Sequence, residues 1–516
     1  LWMYASGAFS YPYLENDDPW THAVVVSYVA QEKVLADTPT YNFKFLDPYP
    51  PGFAVWLGLM HQIEPSISWV LKFYNALFIA LGVLFFYFAA KQFIQDRRGA
   101  LFATFVLASL PSFFTHFIWA HTLSIILFFP ALYCLEKIED DRRWGFAAGL
   151  VIAGILLTHP DEGLKILIML GLYFVVKSIY YRAIQKEVGF ALLGGVFVSL
   201  LWWATKAQGV LGRHVDKVLT HPKYAEIQAA QGSVWGKIQA YFPYNQGTAT
   251  RAYTFDDFFI AKPFGMINVH VGWGIVATLL IFAALVYILW KHKEVLKKEH
   301  YWIGVAMTWF IFTFLGTNSM TFSLPVGLYA FRFWLLLAIP VALLSWLGVK
   351  TLLDANAKFK INAPALLIIG IVVVGVFFTA TTAKYAQNAQ AQWPPGASWK
   401  TMEEVQLYAS LEAFPVATKI FSFAGKDEVI GMDKSSCLWC ADYKEVQQGI
   451  TNDDPLTLYS NLKRLGYEYM IFEVSSIDQW KKLNLTDDAA VMSANLRLND
   501  FAESGYFIPV HNVPNG

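Results

Sequence analysis

The chain has 516 residues, of which 56% are apolar, 17% aromatic and only 15% charged, and its mean hydropathy is +0.40. Lys plus Arg equals Asp plus Glu at 39 each, so the charge suggests no nucleic-acid or polyanion partner. That composition excludes an ordinary soluble protein and makes lipid the expected surroundings, while three cysteines are too few for a disulfide scaffold.

In chain order, Leu1–Gly7 read as the end of a helix that begins upstream. A polar run follows, Glu15-Asn16-Asp17-Asp18-Pro19-Trp20-Thr21-His22, then an amphipathic stretch closing in Tyr49-Pro50-Pro51-Gly52-Phe53. Apolar windows fit to cross a bilayer, about 20 residues each, are expected near 69–93, 99–114, 117–135, 144–158, 163–181, 188–206, 269–290, 302–316, 331–349 and 362–381. Alternate connections carry Lys91, Arg97 and Arg98; Lys137, Arg142 and Arg143; Lys177, Arg182 and Lys186; Lys291, Lys293, Lys297 and Lys298; and Lys350, Lys358 and Lys360. The intervening ones, near 115–117, 158–162 and 317–329, hold no Lys or Arg. The positive-inside rule makes the basic set cytoplasmic and places the Asp17-Asp18 loop, the 207–268 loop and the C-terminal tail outside.

The 207–268 connection is long enough to be a functional cover as well as a surface helix and linker. After residue 383 the composition changes, and Trp393-Pro394-Pro395-Gly396 reads as linker. From Thr401 the pattern is that of a small α/β domain: helices at Met402–Phe414, Pro455–Leu465 and Asp487–Glu503, apolar runs at Lys419–Phe423 and Glu428–Met432, and strands at Tyr469–Glu473 and Tyr506–Val510. The expected organisation is a membrane domain over 1–383 with outer loops at 9–67 and 207–268, a linker over 384–400, and an extracytoplasmic domain over 401–516.

Chemistry concentrates in the polar runs. Asp before Pro-Trp is a good helix start, which accounts for one aspartate and leaves the second without a role. A carboxylate on a rigid element beside an apolar hollow suits a general base or a cation ligand, so Asp18 is the candidate catalytic acid residue and Asp17 its support. His22, His116, His121 and His159, with Asp161 and Glu162, fall at predicted outer helix ends. Asp18, His116, His159 and Glu162 could make a mixed nitrogen and oxygen site for magnesium, manganese or zinc; interfacial histidines bonded to backbone or water explain the same pattern. Cys437 and Cys440, on the expected outer side, suit a small-loop disulfide. Asn484-Leu485-Thr486 is a glycosylation triplet.

Asp18-Pro19-Trp20 with His22, the amphipathic stretch and Tyr49-Pro50-Pro51-Gly52-Phe53 resemble the first outer loop of the GT-C glycosyltransferases. That superfamily includes the catalytic subunit of oligosaccharyltransferase, the protein O-mannosyltransferases and the lipid A aminoarabinose transferases. Asp256-Asp257-Phe258-Phe259 with Met266-Ile267-Asn268, Thr158-His159-Pro160, and Tyr329-Ala330-Phe331-Arg332-Phe333-Trp334 before Ala338-Ile339-Pro340 are looser similarities. The resemblance covers roughly residues 10–350. It implies a polytopic α-helical membrane protein of about 10–11 transmembrane helices, with a small C-terminal soluble α/β domain. It also implies a polyprenyl- or dolichyl-phosphate sugar donor, with Arg332, helped by Lys262, near the donor phosphate, and a glycan, lipid or protein acceptor.

There are two departures. Thr115-His116-Phe117-Ile118-Trp119-Ala120-His121 holds no acid where oligosaccharyltransferase has its second acidic motif, and the Trp-Trp-Asp-Tyr-Gly hallmark is absent. The expected activity is therefore an inverting sugar transfer on the outer side. Protein N-glycosylation is the alternative. A transporter or flippase is disfavoured, because the spans are almost free of mid-helix charge.

Overall fold

The computed structural model describes residues 1–14, 17–35, 41, 43, 45–220, 252–259, 263–264, 267–322, 324, 330–360, 363–390 and 402–511. Lys262, Met266, Tyr329, Glu15-Asn16, Trp393–Gly396 and most of the 207–268 loop lie outside them.

Each of the ten apolar windows contains a helix. Among the described residues, five helices are long and apolar enough to cross a membrane: Ile67–Ile94, Pro160–Tyr181, Lys186–Lys206, Ala330–Lys358 and Ala365–Ala389. The others are shorter than expected. Arg97–Ser109 has 13 residues because Leu110, extended before Pro111, cannot continue a helix. Two compact units emerge, one of Leu1–Ala8 with Asn75–Ala391, the other of Phe9–Tyr74 with Gln392–Gly516. Packing thus divides the chain differently from a linear boundary between 383 and 401.

In the first unit the helix Phe333–Lys358 is buried from Phe333 to Val349. Ile275–Trp290, Tyr301–Thr317 and Arg97–Ser109 pack on it. The Ile275–Trp290 backbone comes so close at Gly348 that a Cβ there would lie 2.1 Å from the Leu280 carbonyl oxygen. Small residues permit such crossings in lipid, where dispersion rather than water exclusion drives helix association. His121–Lys137, Arg143–Leu156, Pro160–Tyr181 and Lys186–Thr220 form a second group. Buried Glu136 ties elements together: the Tyr173 hydroxyl donates to its Oε1 at 2.6 Å, the Tyr301 hydroxyl to its Oε2, and Lys177 lies 3.6 Å away. Lys384, also buried, donates to the carbonyls of Phe113 and Phe114.

In the second unit the helix Asp17–Glu32 is buried along nearly its whole length from Pro19 to Ala30. Gly52–His61 packs beside it. The C-terminal part has a two-stranded parallel sheet, Ile420–Ser422 paired with Tyr469–Ile471, set among short helices. Pro455–Arg464 starts where Asp454 accepts from the amides of Leu456 and Thr457, with Pro455 at the first position. The apolar run Glu428–Met432 opens as a helical turn, Glu428–Gly431, and a Cβ at Gly431 would collide with the Trp20 ring at 2.1 Å. Tyr506–Val510, expected as a strand, is not one. The Tyr506 ring stacks on Tyr459 and Phe507 packs on Phe501, leaving Ile508 exposed.

Among the described residues of this unit three glutamates are buried, Glu404, Glu428 and Glu473. Burial pushes Glu473 up to about 7, although hydrogen bonds from Tyr408 and Ser422 act the other way. Burial likewise pushes Glu428 up to about 8, partly offset by Lys426. An acid whose native value exceeds its unfolded one holds an extra proton only when folded, so stability falls as pH rises from about 5 towards 8. Melting of the full chain in detergent should show that decline, and Glu473→Gln should reduce its slope by about 1.4 kcal/mol per pH unit between pH 5 and 7. An unchanged profile would contradict the assignment.

Candidate active site

Asp17 and Asp18 occupy the first turn of Asp17–Glu32 and are half-buried. Carboxylates are favoured there by the positive end of the helix dipole. His22, one turn on, is buried between aromatic rings, stacked on Phe45 at 4.4 Å and edge-on to Phe53 at 4.8 Å.

The C-terminal segment holds this helix at several points. Asp427 accepts from the Thr21 hydroxyl at 3.1 Å and from the Tyr41 hydroxyl at 2.6 Å. Burial and the Asp427 carboxylate push the Tyr41 phenol upward, which keeps it a donor. At the other end Trp439 Nε1 donates to Glu32 Oε1 at 2.9 Å, with its ring edge-on to Tyr28. Trp439 lies within the loop closed by the Cys437–Cys440 disulfide. Asp433 accepts from Ser66 and Ser68, anchoring the start of Ile67–Ile94.

In the first unit, Arg332 gathers a second cluster. It ends the turn Ala330–Arg332 that leads into Phe333–Lys358. Its Nη1 lies 3.9 Å from Asp161 Oδ2. Asp161 and Glu162 stand in the first turn of Pro160–Tyr181. That helix begins here because Pro160 sits at its first position and His159 Nδ1 accepts from the Glu162 amide at 3.2 Å. Lys165, wholly buried, lies 2.8 Å from Asp161 Oδ2 and 2.8 Å from Glu162 Oε1, with Nζ 4.7 Å above the Phe333 ring. His121 Nδ1 is 3.3 Å from Glu162 Oε1, and its ring lies 3.7 Å from that of His159.

Sequence reasoning singled out Arg332, Asp161, Glu162, His121 and His159, and these come together in one unit. It missed Lys165, although Asp161 and Glu162 stand four and three residues before it, the helical ion-pair spacing. His116 is buried with its carbonyl accepting from Asn75 Nδ2 at 3.2 Å. Asp257 accepts from the amide and hydroxyl of Thr254, which caps a short helix at Phe255–Phe259. Among the described residues no three His, Cys, Asp or Glu side chains form a group able to hold a metal ion. Glu162 faces Lys165, and His159 Nδ1 faces an amide.

Residues 48–204 match the family described as dolichyl-phosphate-mannose-protein mannosyltransferase. Over that segment, 157 of the 516 residues, the chain is similar to this family. The matched segment contains His116, His121, His159, Asp161, Glu162 and Lys165, but neither Asp18 nor Arg332. Solved GT-C structures are similar at low identity. The apo oligosaccharyltransferase of Archaeoglobus fulgidus is 12% identical over 90% of this chain and 66% of its own, with a TM-score of 0.44. AglB of the same organism, in complex with an inhibitory peptide and a dolichol-phosphate, is 13% identical over 89% and 65%, at 0.48. ArnT of Cupriavidus metallidurans, bound to undecaprenyl phosphate, is 12% identical over 82% and 80%, at 0.46. The chain thus spans about two thirds of the length of the oligosaccharyltransferases it matches. No curated protein matches it.

If Asp427 holds the acid-bearing helix, Asp427→Ala should loosen it by about 1–3 kcal/mol, the loss of hydrogen bonds to a charged acceptor. Amide exchange over 17–32 should quicken, and exchange over 160–181 should not. Equal protection of 17–32 in both proteins would refute the hold.

Proposed function

We propose that the chain transfers a sugar from a polyprenyl-phosphate donor to an acceptor on the extracytoplasmic side, with inversion at the anomeric carbon. The observation that carries this reading is the Arg332–Asp161–Lys165 cluster at the start of the most buried membrane helix. A guanidinium offers paired donors to phosphate oxygens, and Arg keeps its charge at any relevant pH. Asp161 Oδ2 lies 3.9 Å from Arg332 Nη1. The family match adds the class of donor: its description names a dolichyl-phosphate sugar as substrate.

In this reading an acceptor hydroxyl attacks the anomeric carbon from the face opposite the phosphate. The bond from that carbon to the phosphate oxygen breaks, and its electron pair leaves with the phosphate. Arg332 stabilises the negative charge developing there, so no protein acid has to protonate the leaving group. Asp18 takes the acceptor's proton and Asp17 supports it.

The test is a mass measurement of products formed from polyprenyl-phosphate sugars, with lipid, glycan and Asn-x-Ser/Thr peptide acceptors supplied separately. Wild type should add one sugar residue to one acceptor class. Asp18→Asn should lower turnover roughly 100-fold or more, the usual contribution of a general base. Equal turnover would remove Asp18 from catalysis, and product on the peptide alone would make the reaction protein N-glycosylation.

A further inference from the structure

Lys165 has no role in the reading above beyond holding Asp161, yet it is among the most deeply buried charged groups in the molecule. Its ammonium is shared between two carboxylates at 2.8 Å each, with the Phe333 ring on a further side. An ordinary helical ion pair of this spacing lies at the surface and contributes little. Here the desolvation of each ion is large, so the cluster persists only if its charges nearly cancel. In the contacts described, Asp161 and Glu162 set two negative charges against the two positive ones of Lys165 and Arg332.

A divalent cation in this place would need the same oxygens. Asp161 Oδ2 and Glu162 Oε1 each meet the Lys165 ammonium at 2.8 Å, and His121 Nδ1 lies 3.3 Å from Glu162 Oε1. With metal–oxygen bonds of about 2.0–2.2 Å, an ion on those oxygens would crowd the ammonium and add positive charge beside a wholly buried lysine. We propose that Lys165 is the built-in cation of this cluster: it fills the position and supplies the charge that a divalent ion would otherwise bring. Arg332 and Asp161 therefore keep their arrangement without metal. The inference rests on the charge balance and not on sugar transfer.

The test reads metal uptake rather than activity, so its failure and that of the transferase reading are separable. Mn²⁺ binding to the metal-stripped full chain in lipid nanodiscs is followed by the electron paramagnetic resonance of free Mn²⁺. Wild type and Glu162→Gln should bind Mn²⁺ alike, since Glu162 holds no ion. Lys165→Met should gain one site per chain, at least tenfold tighter than any in wild type, and adding Glu162→Gln to it should abolish that site. Lys165→Gln, which keeps a polar head, serves if the methionine variant does not fold. A wild-type Mn²⁺ site lost in Glu162→Gln would overturn the proposal, as would a folded Lys165 variant that gains no site.

Discussion

A charge removed from water must be matched where it lies. That constraint explains why Lys165, Asp161, Glu162 and Arg332 are found together at the starts of Pro160–Tyr181 and Phe333–Lys358. The cluster ties the Pro160–Tyr181 helix to the turn before Phe333–Lys358, while His121 joins it from a third helix. Near the other end of the same helix the principle recurs. Lys177 and Glu136 pair beneath the hydroxyls of Tyr173 and Tyr301. Each ion pair fixes a helix position by charge where packing of apolar surfaces alone would allow sliding.

The second unit solves a different problem. A helix with Asp17 and Asp18 at its start and an almost unbroken apolar body needs cover on every side. The cover comes from the C-terminal segment, through Gly431 against Trp20, Asp427 at Thr21, and Trp439 at Glu32 and Tyr28. The closed loop of Cys437 and Cys440 presents that tryptophan. The segment after residue 401 is thus part of the support of the acid-bearing helix, not an independent attachment.

Hydropathy made the helices legible, because a run of apolar residues in lipid has few alternatives to helix. The beginning of the Pro160 helix was legible too, since Pro at its first position is a local signal. Lys165 was hidden by its setting: one lysine early in an apolar run reads as a boundary residue until the carboxylates three and four places earlier are seen to converge on it. The grouping of 9–74 with the C-terminal segment could not be read at all, because Thr21 and Asp427 stand 406 residues apart. Tyr506–Val510 has strand-like residues, but its aromatic rings pack on Tyr459 and Phe501 instead of placing it beside the sheet.

The part-exposed guanidinium of Arg332 makes chemical sense if it receives a phosphate, and that is the claim on which the proposed function stands. Equilibrium binding of undecaprenyl phosphate to the intact chain, read by native mass spectrometry from nanodiscs, addresses it directly. The account predicts one lipid phosphate retained per wild-type chain and at least tenfold weaker retention in Arg332→Gln. Equal retention by the two proteins, or none by wild type, would contradict it.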